Sequence, residues 1–505
     1  MMTMSRIFYL SVLITLFITN TKNGYAQDIE LPIDTAVVTS HQVEIDGKSI
    51  SYTAESGMQT YHNDKGEAKA SLFYTYYKRS DIDNVENRPL VFSYNGGPGS
   101  ASVWMHLAYT GPRVLKISDE GFPVQPYGVK ENPHSILDIA DIVYINPVNT
   151  GYSRPIRDEE GNFKRSEFFG VQADISYLAQ WMNAFVSKHD RWLSPKYLIG
   201  ESYGTIRVSG LADELQNNQW MYINGVILVS PTELGNFREG ILGVANRLPY
   251  FTAAAWYHEK LPSELQQLSL EEALAESEEF TTQKLIPLLY KGGFKSSADL
   301  NMTAEKMAYF SGIDKDTYLE CNLDLTYSNF WKMLLKDEGF TIGRLDSRYL
   351  GLDKQKAGSR PDYNAELTAW LQAFTPAINH YIKHELEFDV PLTYNMFGPV
   401  RPWDRTQNNN TGERLRRAMA QNPSMQVMIQ SGYYDGATTY FNAKYTMWHI
   451  DPSGRMKDRF TFKAYESGHM MYLRSEDLKQ ANQDLRNFIL ESLPKEGEPI
   501  KYSRD

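Results

Sequence analysis

A single cysteine, Cys321, among 505 residues excludes an intramolecular disulfide and leaves no pattern for a thiol nucleophile. A chain without such staples depends on its core, and so sparing a use of cysteine favours a bacterial envelope protein over a eukaryotic vacuolar or secreted one. Long hydrophobic runs are scarce as well. The apolar stretch at residues 7–19 holds thirteen residues, too few to span a bilayer comfortably, and no later stretch is long enough. Arg6 precedes that stretch and Gly24-Tyr25-Ala26 ends the polar segment behind it, the small residues a signal peptidase reads. Residues 1–26 are therefore expected to be a signal peptide cleaved after Ala26, with an exported, soluble product, periplasmic or secreted, and no stable membrane insertion.

Excess positive charge is missing too. The 51 Lys and Arg are outnumbered by 62 Asp and Glu, giving −11, and loss of Arg6 and Lys22 with the leader takes the charge to −13. So acidic a chain is a poor nucleic-acid binder. No internal repeat or low-complexity tract is present; Asn408-Asn409-Asn410 is a polar loop. The length suggests one large α/β domain carrying an insertion.

Against these absences stands Gly200-Glu201-Ser202-Tyr203-Gly204, which follows the apolar run Tyr197-Leu198-Ile199 and precedes a helix-like segment. A serine on a sharp strand-to-helix turn raises its hydroxyl above the sheet, and only glycines fit two positions before and after it. Alone, Gly-x-Ser-x-Gly recurs by chance. Here two later segments supply partners in the order such a fold requires. The strand-like run 425–430 breaks at Ser431-Gly432 before Tyr433-Tyr434-Asp435, and the alternating run 460–464 opens into Ser467-Gly468-His469. Each candidate follows a strand's C-terminal end, where open α/β sheets carry their chemistry. His469 would take the proton of Ser202, and Asp435 would fix the imidazole tautomer and stabilise the imidazolium.

A fourth strand-like run, 90–94, leads into Asn95-Gly96-Gly97-Pro98-Gly99-Ser100. Glycines let main-chain N–H groups approach a developing alkoxide, so Gly97 and Tyr203 are the expected oxyanion donors. A phosphate cradle would end in Gly-Lys-Ser/Thr, which is absent. Neither metal nor cofactor enters this chemistry. A zinc reading of His380, His384 and Glu385 is the alternative, but the zincin signature needs Glu directly after the first His, where Tyr381 stands.

The segments Asn95 to Gly99, Asn146 to Ser153, Gly200 to Tyr203, the Asp435 run and Gly468-His469-Met470 together resemble the serine carboxypeptidases, peptidase family S10, in family order across most of the chain. The resemblance implies an α/β-hydrolase fold that removes single residues from peptides with a free C-terminus. It also implies that Asn95 and Glu201 hydrogen-bond the substrate's terminal carboxylate. A glutamate can approach that carboxylate in a desolvated pocket only by sharing a proton, so activity is expected to favour acidic pH. The chain departs from the family in having Tyr94, Ser100 and Thr205 where Trp, Cys and a small residue are usual. Tyr109 stands where a second carboxylate-binding Glu often occurs. Arg113 lies nearby and is either a carboxylate fork or an ordinary surface cation. An esterase or acyltransferase built on the same triad is the alternative activity.

The remaining organisation is expected as follows: hydrolase core with a mostly parallel sheet at residues 27–235 and 423–505, and a helix-rich cap insertion at 236–422. Ser269 and Glu272 suggest a capping box, residues 303–310 a helix stopped near Gly312, and 43–77 hairpins around the turn Asn63-Asp64-Lys65-Gly66. Trp256, Trp331 and Trp370 are candidates for either pocket lining or aromatic core.

Overall fold

Five apolar runs and one amphipathic one line up as parallel strands, and three longer strands extend the sheet on one side. The computed structural model describes residues 31–235, 240–406 and 409–502. The expected leader, residues 236–239 where the insertion was expected to begin, and Asn408 lie outside them. The strands are β1 (Ala36–Ile45), β2 (Lys48–His62), β3 (Ala68–Arg79), β4 (Leu90–Tyr94), β5 (Asp141–Ile145), β6 (Lys196–Glu201), β7 (Gly225–Val229), β8 (Gln426–Gly432) and β9 (Phe460–Tyr465). They pair in the order β1-β2-β3-β5-β4-β6-β7-β8-β9. All pairings from β5 to β9 are parallel, while β1, β2, β3 and β5 pair antiparallel. The expected hairpins are therefore part of the main sheet, begin earlier, at Ala36, and turn at Asn63, whose carbonyl accepts from Gly66 N at 2.8 Å.

Burial follows position. Every residue of β4, β5, β6 and β7 is buried, as in a parallel sheet covered on both faces, whereas the edge strand β9 is mostly exposed or half-buried. Because successive side chains point to opposite faces, the same strands feed two cores. Tyr197, Ile199, Ile227 and Met428 meet helices Ala365–His384 and Ser475–Glu491 on one face. Leu198, Val226, Leu228 and Ile429 meet helices Val171–Lys188, Tyr203–Asn218 and Thr411–Gln421 on the other.

The helix-rich segment has a third core of its own, running from Ala245 to Ile342. Helix Leu270–Phe280 opens on the expected reciprocal capping box between Ser269 and Glu272, and helix Ser297–Ser311 stops at Gly312 in the left-handed conformation. Beyond Ile342 the chain returns to the main body. Helices Ala365–His384 and Thr411–Gln421, both inside the expected insertion, pack onto the two faces of the sheet. Among the described residues no helix is long and apolar enough to cross a membrane.

Candidate active site

Ser202 stands between the last residue of β6 and the first turn of helix Tyr203–Asn218 at φ 59°, ψ −125°. Such a backbone costs about 1–3 kcal/mol and persists only where its surroundings hold it. Here Ser202 N donates to Val229 O at 3.0 Å, and the Thr205 hydroxyl donates to Ser202 O at 2.6 Å. The Thr205 departure thus adds a brace to the turn. A β-carbon on Gly200 would lie 2.3 Å from Gly204 O, and one on Gly204 would lie 2.8 Å from Tyr94 O. Only glycine fits either place.

Asp435 and His469, 34 residues apart, meet at the ends of β8 and β9. His469 Nδ1 lies 2.7 Å from Asp435 Oδ2. Asp435 is fully buried and also accepts from Thr438 Oγ1 at 2.7 Å and from the amides of Ala437 and Thr438, so its oxygens are fixed. With Nδ1–H given to Asp435, Nε2 is left as the free base of the ring. Burial opposes charge on His469, but the Asp435 carboxylate and Glu201 outweigh it and hold the imidazole above its ordinary range. The ring's backbone is clamped as well: His469 N donates to Leu345 O at 2.6 Å, and Ser230 Oγ donates to His469 O at 2.7 Å.

Ser202, His469, Glu201, Gly96 and Gly97 line one cavity of about 230 Å³. Its walls include Trp104, Leu367, Trp370 and Phe397. Trp370 therefore borders the cavity, whereas Trp331 and Trp256 belong to the helical core, their indoles donating to Tyr250 OH and Leu268 O. Gly97 takes φ +104°, and a β-carbon on Gly96 would lie 2.5 Å from Tyr203 N, so the glycine turn rests directly on the residue after Ser202. Arg207 secures that turn from below. Its guanidinium donates to Asn95 O at 2.6 Å and to Asp174 Oδ2 at 2.8 Å, all of it buried.

Glu201 faces the cavity with both oxygens engaged. Asn95 Nδ2 donates to Oε1 at 2.9 Å and Tyr472 OH donates to Oε2. Burial raises the Glu201 carboxyl above its ordinary range against the opposing pull of His469 and these two donors. Asn95 itself is wholly buried and does not line the cavity; its Oδ1 accepts from Met105 N at 3.1 Å. Tyr109 is equally remote, its hydroxyl given to Gln430 at 2.7 Å and its ring stacked on Tyr472 at 4.8 Å. Arg113 is tied to Glu385 and Glu131, and His380 and His384 are exposed on a helix end; none of the three lines the cavity.

Sequence reasoning missed Tyr472, Arg207, Thr438, Arg344 and Glu366. Tyr472 lies three residues past His469 and carried a local signal, a hydroxyl beside the Gly468-His469-Met470 segment. Thr438 is equally local, three residues past Asp435, whereas Glu366 holds Leu345 N across 21 residues and Arg207 holds Asn95 O across 112. Arg344 and Asn364 enter the cavity from the far part of the helix-rich segment. Glu366 receives Leu345 N at 3.0 Å behind them, and its other oxygen is buried without a partner.

A protein-family model described as serine carboxypeptidase matches residues 48–466. Serine carboxypeptidase-like 9 of Arabidopsis thaliana is 27% identical over 206 residues, which is 40% of this chain and 45% of that protein. Serine carboxypeptidase-like 13 of the same plant is 30% identical over 171 residues, 33% of this chain and 37% of that protein. The chain thus spans less than half the length of these curated relatives. The crystal structure of Kex1(delta)p, a prohormone-processing carboxypeptidase from Saccharomyces cerevisiae, superposes with a TM-score of 0.53 at 12% identity, covering 88% of this chain and 92% of that one. That likeness shows the fold, an α/β-hydrolase-like one.

Proposed function

Since this chain belongs to the serine carboxypeptidase family, we propose that it hydrolyses the C-terminal peptide bond of peptides through an acyl-enzyme on Ser202. The observation that carries the reading is the single cavity shared by Ser202, His469 and a Glu201 whose carboxyl is biased toward its neutral form. In the reaction His469 Nε2 takes the Ser202 proton as Oγ attacks the scissile carbonyl, and the amides of Gly97 and Tyr203 receive the developing oxyanion. Collapse of the tetrahedral species breaks the C–N bond, and His469 returns the proton to the leaving amine. Water then repeats the cycle on the acyl-enzyme and frees Ser202.

In this reading protonated Glu201 binds the terminal carboxylate by sharing its proton, and Asn95 and Tyr472 hold Glu201 in place. Binding is then strongest on the acidic side of Glu201's titration. Protonating Glu201 also removes one of the two anions that hold His469 up, so the base stays neutral to lower pH in the same step. The segment of residues 241–342 serves as the cap, and residues 343–398 supply the cavity wall beneath it. The leader-like residues 1–26 and the single cysteine support an exported bacterial protein, periplasmic or secreted.

One observation favours a second reading. Tyr109, in the place of the family's other carboxylate-binding acid, is buried and turned away, which leaves Glu201 as the one carboxylic acid that faces the cavity among the described residues. An esterase or acyltransferase using the same triad fits that reduced set. Release of the terminal amino acid from blocked dipeptides, measured across about pH 4 to 8 with free and amidated C-termini and with Ser202→Ala, separates the two. Release that needs both Ser202 and a free carboxylate supports the carboxypeptidase. Ser202-dependent cleavage of simple esters without peptide release supports the second reading.

A further inference from the structure

Arg344 enters the cavity with no carboxylate in ion-pair contact, the buried Glu366 acting on it only at longer range. Arg344 is exposed, it lines the same space as Ser202 and His469, and its guanidinium makes no ion pair and no hydrogen bond with any described residue. Its backbone is nevertheless held on every side. Arg344 O accepts from Gly436 N at 3.0 Å, next to Asp435. Gly343 N donates to Tyr349 O at 2.9 Å, and the following residue, Leu345, is clamped between Glu366 and His469 N. The segment is therefore a rigid mount for a free guanidinium. Asn364 lines the cavity too, and its side-chain amide has no hydrogen-bond partner among the described residues.

The rest of the cavity has nothing with which to satisfy this cation. Glu201 makes no ion pair with it and is held by Asn95 and Tyr472, Asp435 is buried behind His469, and Ser100 Oγ is taken by Trp104 Nε1 at 2.7 Å and by Ala101 O. The walls are otherwise aromatic and aliphatic. A planar, permanently charged fork lining a cavity with aromatic and aliphatic walls is the donor geometry that suits a carboxylate, which it grips with two parallel bonds.

We propose that Arg344, assisted by Asn364, binds a carboxylate of the substrate and makes this cavity selective for acidic substrates. The inference rests on the reading of Ser202 as nucleophile. The carboxylate has two sources: the terminal α-carboxylate, or an acidic side chain of a residue flanking the scissile bond. Either way the guanidinium contributes attraction that a neutral substrate cannot use, so its removal acts mainly on KM.

The test compares the full-length protein with Arg344→Gln and Arg344→Lys on matched substrates. Blocked dipeptides ending in Glu and in Gln form one pair, the same with Glu or Gln in the penultimate place a second, and p-nitrophenyl hemisuccinate with p-nitrophenyl butyrate a third. A neutral ester normalises each variant for folding and for the triad. The expected result is a fall of at least tenfold in normalised kcat/KM for carboxylate-bearing substrates in Arg344→Gln, carried by KM and partly restored in Arg344→Lys. An equal fall for Glu- and Gln-ending peptides assigns the α-carboxylate. A fall confined to the Glu member of a pair assigns the side chain. Normalised values and charged-to-neutral ratios within twofold of wild type throughout would overturn the proposal. If wild type releases no residue from any peptide yet cleaves esters through Ser202, the carboxypeptidase reading fails by itself. The hemisuccinate-to-butyrate ratio then still decides Arg344, a tenfold drop sustaining it and a constant ratio sinking it.

Discussion

Replacing Glu366 by glutamine tests whether the wall behind His469 stores an electrostatic cost. Glu366 is completely buried on the first turn of helix Ala365–His384, with Oε1 accepting from Leu345 N and Oε2 facing no donor. Burial, with Asp346 nearby, pushes its carboxyl up to about 7 against an ordinary 4.5. The native chain thus holds a proton on Glu366 that the unfolded chain has already lost. A carboxyl raised in the folded state contributes no penalty below pH 4.5 and destabilises progressively as pH rises from there through 7. That interval, at about 1.4 kcal/mol per pH unit, makes the full cost about 3 kcal/mol. The glutamine of Glu366→Gln keeps an oxygen for Leu345 N and carries no charge at any pH. Unfolding in urea at about pH 4.5, 6 and 8 should therefore show the variant gaining on wild type by about 3 kcal/mol between the first and last conditions. Contributions common to both chains, such as Asp477, which burial raises to about 6, cancel in that difference. A stability difference that stays constant across the three pH values would refute the argument.

Asp435→Asn should leave the fold intact and lower kcat about 10⁴-fold, because the amide presents a donor where His469 needs an acceptor; a loss under tenfold in single-turnover rates would remove Asp435 from the triad. Glu201→Gln abolishes the shared proton. Wild-type kcat/KM on free-acid peptides should fall about tenfold per pH unit above the raised Glu201 titration, whereas the variant should lack that limb and keep His469 basic to lower pH. Identical pH profiles for the two proteins would count against the carboxylate-sharing role. Gly200→Ala drives a methyl to 2.3 Å from Gly204 O, backbone that cannot yield without moving Ser202. It should cost about 3 kcal/mol and shift the urea midpoint down, and an unchanged midpoint would contradict the elbow geometry.

What could be read from residues alone was local. β4 runs over the stretch 90–94 that its apolar continuity indicates, because strands buried on both faces need near-continuous apolar sequence. The elbow glycines, the capping box at Ser269 and the stop at Gly312 were legible because each satisfies a steric or hydrogen-bonding demand within a few residues. The order of Ser202, Asp435 and His469 was legible too, since each follows a strand end. The limits of the helix-rich segment were not. Helices Ala365–His384 and Thr411–Gln421 have the same amphipathic pattern whether they cover a cap or a sheet, and only packing showed that they cover the sheet.

The chain's own order of residues decided which groups are candidates for the chemistry and at which strand ends they stand. The tertiary structure alone decided how each is tuned. Tyr472 caps Glu201 from 271 residues away, Arg207 holds a carbonyl 112 residues distant, and Arg344 reaches the cavity without an ion pair or hydrogen bond to any described residue. Burial and charge partnership depend on which distant segments share a space, and no spacing along a sequence encodes that.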